Sequence, residues 1–143
     1  MAILGISLKN NKEQQELVRL INENYKPIVI CVGNAGTGKT FTSLAAAIDL
    51  KQSKKYKYVV YGRNPVPLGY DMGALPGGLD DKYGPYMGPL YDNLEAIVAN
   101  SSERLNANDL ASKVEITPIA FLRGRSFRDT IVIIDEAQNL DLT

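Results

Sequence analysis

Gly33-Asn34-Ala35-Gly36-Thr37-Gly38-Lys39-Thr40 fits the phosphate-loop pattern G-x-x-x-x-G-K-[ST] at every position. Glycines in such a loop let backbone N–H groups turn inward around phosphate oxygens. All eight residues, Asn34, Ala35 and Thr37 included, are therefore expected to line a nucleotide. Lys39 is expected to reach the β- and γ-phosphates, and the Thr40 hydroxyl to ligate Mg²⁺. The flanks agree. Pro27-Ile28-Val29-Ile30-Cys31-Val32 reads as a buried strand entering the loop. Phe41, Leu44, Ala45 and Ile48 follow at helical spacing, so the loop opens into a helix whose N-terminus favours an anion. The plainer alternative is an ordinary glycine-rich turn, which the flanking strand and helix together disfavour. The expected ligand is a nucleoside triphosphate.

A second stretch supplies the acidic half of such a site. Thr130-Ile131-Val132-Ile133-Ile134 is a buried-strand pattern ending in Asp135 and Glu136. Open α/β sheets gather ligands at the C-terminal ends of their strands. Asp135 is expected in the Mg²⁺ shell, and Glu136 where a general base polarises water. Without the loop at 33–40, both would read as solvated acids. A glutamate in this place favours hydrolysis of ATP over transfer to a small acceptor.

Composition narrows the rest. A chain of 143 residues is expected to form one domain with a real core. Sixteen basic and sixteen acidic residues cancel, so any nucleic-acid binding must use a local patch. One cysteine and no histidine leave no thiol or imidazole metal site, and Cys31 reads as plain core. No apolar run has the length of a membrane span, and the N-terminus lacks a signal-peptide layout. A soluble, cytoplasmic protein with no membrane partner is expected.

Asn11 to Glu23 reads as a helix with Leu17, Val18 and Ile21 on one face, Asn11 as its cap and Gln14 closing a capping-box-like pair. Lys51 to Lys57 is a basic surface stretch, and Tyr58-Val59-Val60-Tyr61 a short strand. Residues 62–89 hold twelve of the nineteen glycines and prolines, and read as a long functional loop within the domain. Pro89 is expected to start a helix presenting Leu90, Leu94, Ile97 and Val98, and Val114 to Thr117 to form a strand stopped by Pro118. Strands alternating with helices imply an α/β fold with a mainly parallel sheet.

Several of these elements together resemble the PhoH-like ATPases, relatives of the superfamily 1 helicase core. The carriers are Asn11-Lys12-Glu13-Gln14, the phosphate loop, Leu75-Pro76-Gly77, Pro85-Tyr86 and Pro89-Leu90-Tyr91-Asp92. Pro118-Ile119-Ala120-Phe121-Leu122-Arg123-Gly124-Arg125 and Asp135-Glu136-Ala137-Gln138-Asn139 complete the set. The resemblance implies a RecA-like three-layer sandwich, ATP binding and hydrolysis, and coupling to RNA. It also implies ring-shaped homo-oligomers and a link to phosphate starvation or RNA processing. Where relatives have Thr-Arg-Pro, this chain has Gly62-Arg63-Asn64-Pro65. Relatives also continue past the Asp-Glu-Ala-Gln-Asn element with a further strand, expected between the 28–32 and 131–135 strands, and a later arginine. The sequence is therefore read as a fragment whose sheet is incomplete after the Asp135 strand.

Gln14, in this family context, reads the adenine edge; its plainer role is the capping contact. Gln138 reads as a link between the γ-phosphate and substrate, or as a solvated loop residue. Arg123, Arg125 and Arg128 form a cluster suited to single-stranded RNA phosphates or a neighbouring subunit, or merely to solvent. Tyr70, Tyr83, Tyr86 and Tyr91 read as base-stacking groups or as anchors for a long loop. Three function classes follow: an RNA-coupled ATPase, a P-loop phosphotransferase, and a nucleotide-binding fragment without turnover.

Overall fold

The computed structural model describes residues 2–23, 27–63 and 79–140, the side chains of 79–87 excepted. Ahead of the first helix, β1 (Ala2–Ile3) and β2 (Ile6–Ser7) pair antiparallel across a two-residue turn. Leu4 and Gly5 both take positive φ there, 48° and 72°, the turn geometry that matches strand twist. The hairpin was not legible in the sequence because leucine is a poor marker for such a turn. Ile3, Leu4, Ile6 and Leu8 are all buried, so the hairpin closes one end of the core.

Helix α1 runs Lys12–Asn22, with the Asn11 side chain accepting from the Gln14 N–H at 2.9 Å. The expected capping box is only half formed. The Asn11 N–H bonds to the Leu8 carbonyl instead, and the Gln14 side chain turns toward the phosphate loop. Helix α2, Lys39–Gln52, follows the loop and buries Thr42, Leu44, Ala45, Ala46, Ala47, Ile48 and Leu50. Burial on so many sides fits its neighbours: α1 on one flank, α3 (Leu79–Asn100) on another, and the sheet beneath. The small alanines let these elements approach closely.

Strand β3 (Tyr58–Arg63) is central, with β4 (Val114–Pro118) and β5 (Thr130–Asp135) parallel on either side. Tyr61 lies opposite Ile116 on one neighbour and Ile133 on the other. The result is an α/β fold with a three-stranded parallel sheet flanked by helices, the class expected from alternating strands and helices. Leu44, Ile48, Leu90, Leu94 and Ile97 are fully inaccessible; burying each contributes about 2 kcal/mol before entropy is counted. A short helix, α4 (Ala107–Ser112), precedes β4 and is capped by the Asn106 side chain; six residues carry too little periodicity to have been read from sequence.

Three expectations are corrected. Residues 27–32 form no regular element and pair with no described strand, and Ile28, Ile30 and Val32 are 75%, 83% and 90% exposed. An apolar run becomes a buried strand only when a neighbour takes up its backbone groups, and β5, an outer strand of the sheet, does not meet it. Cys31, within that run, is exposed and not core. Finally, α3 begins at Leu79, ten residues before Pro89. Proline's fixed φ suits a helix start best, but a helix can also run through it at the cost of one donor and of crowding against the carbonyl four residues back. Of the 62–89 loop, residues 64–78, with Leu75-Pro76-Gly77 and Tyr70, lie outside the described residues, as do the side chains of Tyr83 and Tyr86.

Candidate functional site

The loop at 33–40 ends in a reversal that only a flexible backbone makes cheaply. Gly36 and Gly38 take φ of 79° and 85°, and Gly38 is the residue from which α2 starts. A side chain is disfavoured in that left-handed region. At Gly38 an added Cβ would also lie 2.6 Å from Gln14 Nε2, the flexible end of a side chain that would have to move aside. That amide donates to the Thr37 carbonyl at 3.3 Å, so α1 holds the loop from the side. Beside it is an open groove of about 440 Å³ lined by Ser7, Leu8, Lys9, Asn10, Asn11 and Gln14.

Lys39 folds back across the loop, its Nζ donating to the carbonyls of Gly33 at 2.6 Å and Asn34 at 2.8 Å. Thr37 Oγ1 donates to the Asn34 carbonyl at 2.8 Å. The ammonium is thus held over the cradle that the loop encloses.

Thr40 projects from the first turn of α2 toward the end of β5, where its hydroxyl donates to Asp135 Oδ1 at 3.0 Å. The same oxygen accepts the Glu136 N–H at 3.1 Å. The other, Oδ2, accepts from the Tyr61 hydroxyl at 2.5 Å. Burial, then the hydrogen bond to Asp135 and its negative charge, push the Tyr61 phenol well above the usual range, while Arg63 pulls the other way. Tyr61 therefore stays protonated and acts as a donor. Sequence alone marked it only as a strand residue; the signal available was a phenol placed one strand over from an acidic terminus.

Glu136 sits directly after the strand at φ 54°, a left-handed conformation that costs a non-glycine residue about 1 kcal/mol or more. Its carboxylate accepts from the Gln138 amide. Gln138 and Glu136 are thus brought together, at a position where Gln138 is still exposed to solvent.

A hydroxyl and a carboxylate oxygen in contact are hard donors of the kind Mg²⁺ takes, and that ion needs few protein ligands. No cluster of three or more acidic, histidine or cysteine side chains exists among the described residues. Thr40 and Asp135 are the residues that would hold it.

The arginine cluster is only partly available. Arg125 pairs with Glu115 through two hydrogen bonds of 3.0 Å and lies 5.0 Å over the Phe127 ring. Its side chain is committed to a neighbour on β4, because the turn after Leu122 aims it back at the sheet. Arg123 and Arg128 make no ion pair among the described residues. Tyr91 packs against the core, in keeping with the anchoring reading. Among the described residues no helix is long and apolar enough to cross a membrane.

Residues 6–143 match the PhoH family, described as "PhoH-like protein". The chain is 41% identical over 142 residues to "Protein PhoH2" of Bacillus subtilis (strain 168), covering 96% of this chain and 32% of that protein. It is 39% identical over 127 residues to a "PhoH-like protein" of the same organism, covering 88% and 38%. With "Protein PhoH" of Escherichia coli (strain K12) it shares 35% identity over 133 residues, covering 93% and 37%. The chain thus spans about a third of the length of these relatives. With its phosphate loop and acidic strand end in contact, the chain belongs to the PhoH-like protein family of nucleotide-binding P-loop proteins.

Proposed function

We propose that this site binds ATP with Mg²⁺ and hydrolyses it, and that the whole protein couples turnover to single-stranded RNA. The observation that carries the reading is the Thr40–Asp135 contact, which joins the phosphate loop to the end of a strand 95 residues away. In this reading the loop amides and Lys39 cradle the β- and γ-phosphates. Thr40 and Asp135 hold Mg²⁺, which when bound neutralises charge on the phosphate oxygens. Glu136, oriented by Gln138, accepts a proton from the attacking water. Gln14, at the mouth of the groove beside the loop, spends one amide hydrogen on Thr37 and keeps its carbonyl and second hydrogen for an adenine edge.

The finer structural reading is that of a RecA-like three-layer sandwich completed by chain beyond the described sheet. RNA phosphates would be met by Arg123 and Arg128, with Arg125 secondary because Glu115 already holds it. A ring-shaped homo-oligomer in the cytoplasm, tied to phosphate starvation or RNA processing, belongs to the same proposal and rests on family likeness. The test is phosphate release by the full-length protein with and without single-stranded RNA. Stimulated release is expected. Transfer of phosphate to a nucleotide acceptor would make it a phosphotransferase, and binding without turnover would make it a nucleotide-holding module.

A further inference from the structure

We propose that Tyr61 is a positioning residue that sets Asp135 in the orientation needed to hold a divalent cation with Thr40; the inference rests on the nucleotide reading above. Tyr61 and Asp135 are on adjacent parallel strands. Asp135 stands opposite Arg63, and Arg63 is two residues beyond Tyr61, so all three project on one face of the sheet. The Tyr61 ring is 1% exposed and belongs to the core beside Val59, while its hydroxyl reaches diagonally to Asp135 Oδ2 at 2.5 Å. The two carboxylate oxygens are thereby divided between tasks. Oδ2 is tied to the rigid core, and Oδ1 is turned to Thr40 and the Glu136 N–H. A carboxylate at an outer strand end would otherwise rotate about its side-chain bonds, and the hydroxyl–carboxylate pair would form only part of the time.

The rival explanation is that a buried phenol bonds whichever acceptor is near. That role would affect stability and leave the cation requirement alone. The two separate in full-length protein by following a fluorescent ATP analogue while Mg²⁺ is raised from zero. Tyr61→Phe keeps the ring and removes the donor. It is expected to raise the Mg²⁺ concentration for half-maximal tight binding about ten-fold, the usual effect of losing a partner of a metal ligand. Affinity without Mg²⁺ should stay within about two-fold on the same ground. Tyr61→Met, which fills the space without donating, should shift the requirement the same way. In an Asp135→Asn background, Tyr61→Phe should add nothing further. An unchanged Mg²⁺ requirement in folded Tyr61→Phe or Tyr61→Met protein that binds ATP would overturn this inference alone. An equal shift in the Asp135→Asn background would overturn it as well. Wild-type protein that binds no ATP at any Mg²⁺ concentration would overturn the nucleotide reading and this inference with it.

Discussion

Gln14 and Gly38 touch across 24 residues of sequence: the amide of one occupies the space where a side chain of the other would begin, 2.6 Å from an added Cβ. Helix α1 is therefore a wall of the phosphate loop, and a substitution at Gly38 meets two separate penalties. The first is the left-handed backbone at φ 85°, worth about 1–2 kcal/mol for an ordinary residue. The second, much smaller, is that the flexible end of the Gln14 side chain must move aside. Gly38→Ala should greatly weaken ATP binding, and adding Gln14→Ala should relieve the clash but not restore affinity. Full recovery in the double variant, measured by nucleotide titration, would show that sterics alone govern the position.

Lys39→Ala should weaken triphosphate binding markedly with the fold intact. Its ammonium bonds to loop carbonyls at the surface, so truncating the side chain leaves the core packing untouched. Calorimetric titration with ATP, alongside a thermal melt, checks both halves of the expectation; unchanged affinity would remove Lys39 from the site.

Glu136→Gln should keep ATP and Mg²⁺ bound in the full-length protein while turnover falls by roughly two orders of magnitude or more, the contribution of a positioned general base. Gln138→Ala should lower turnover less, since it only orients the Glu136 carboxylate. If Glu136→Gln hydrolyses ATP at the wild-type rate, the base lies elsewhere.

Arg123→Ala and Arg128→Ala should each reduce RNA affinity and flatten its salt dependence, by roughly one unit of log–log slope for each phosphate no longer neutralised. Arg125→Ala should change neither much, because Glu115 and Phe127 already engage its guanidinium. Equal losses for all three arginines would mean that RNA breaks the Arg125–Glu115 pair.

The isolated 1–143 chain should bind ATP weakly and turn it over poorly or not at all. Ile28, Ile30 and Val32 stand in solvent on an unpaired segment that leads straight into the phosphate loop, leaving the entry to the loop without support from the sheet, which meets it only at Thr40. In the isolated chain Ile30→Lys should improve solubility; in the full-length protein the same change should destabilise. Turnover near one per second by residues 1–143 alone, the low end for ordinary enzymes, would contradict this.

The parts of the site that were legible in sequence are those with a strict local grammar. The loop pattern, the helix after it and the apolar strand ending in two acids each announce themselves within a few residues. β3 and β4 were readable for the same reason. What escaped depends on partners distant in sequence. The strand expected between residues 27–32 and β5 was already read as missing; what escaped is that without it residues 27–32 form no strand at all. The Gln14 side chain could serve its own helix or the loop, and only the placement of α1 against α2 decides in favour of the loop. Arg125 looked like one of three equivalent cations until the turn brought it onto Glu115. Tyr61 carried no motif, since its partner is 74 residues away.

That separation also fixes when the site can exist. Chains emerge N-terminus first, and pairings between distant segments form late because long loops must close before they are rewarded. Loop and α2 are complete by Gln52, yet Thr40 has no Asp135 to meet until β5, starting at Thr130, has been made and has docked on β3. During synthesis the anion cradle therefore precedes its acidic counterpart by the whole stretch from Gln52 to Thr130. A nascent chain halted before Thr130 should still present the loop at the head of α2, and should distinguish free triphosphate from its Mg²⁺ complex poorly. Discrimination between the two is a property that arrives with β5.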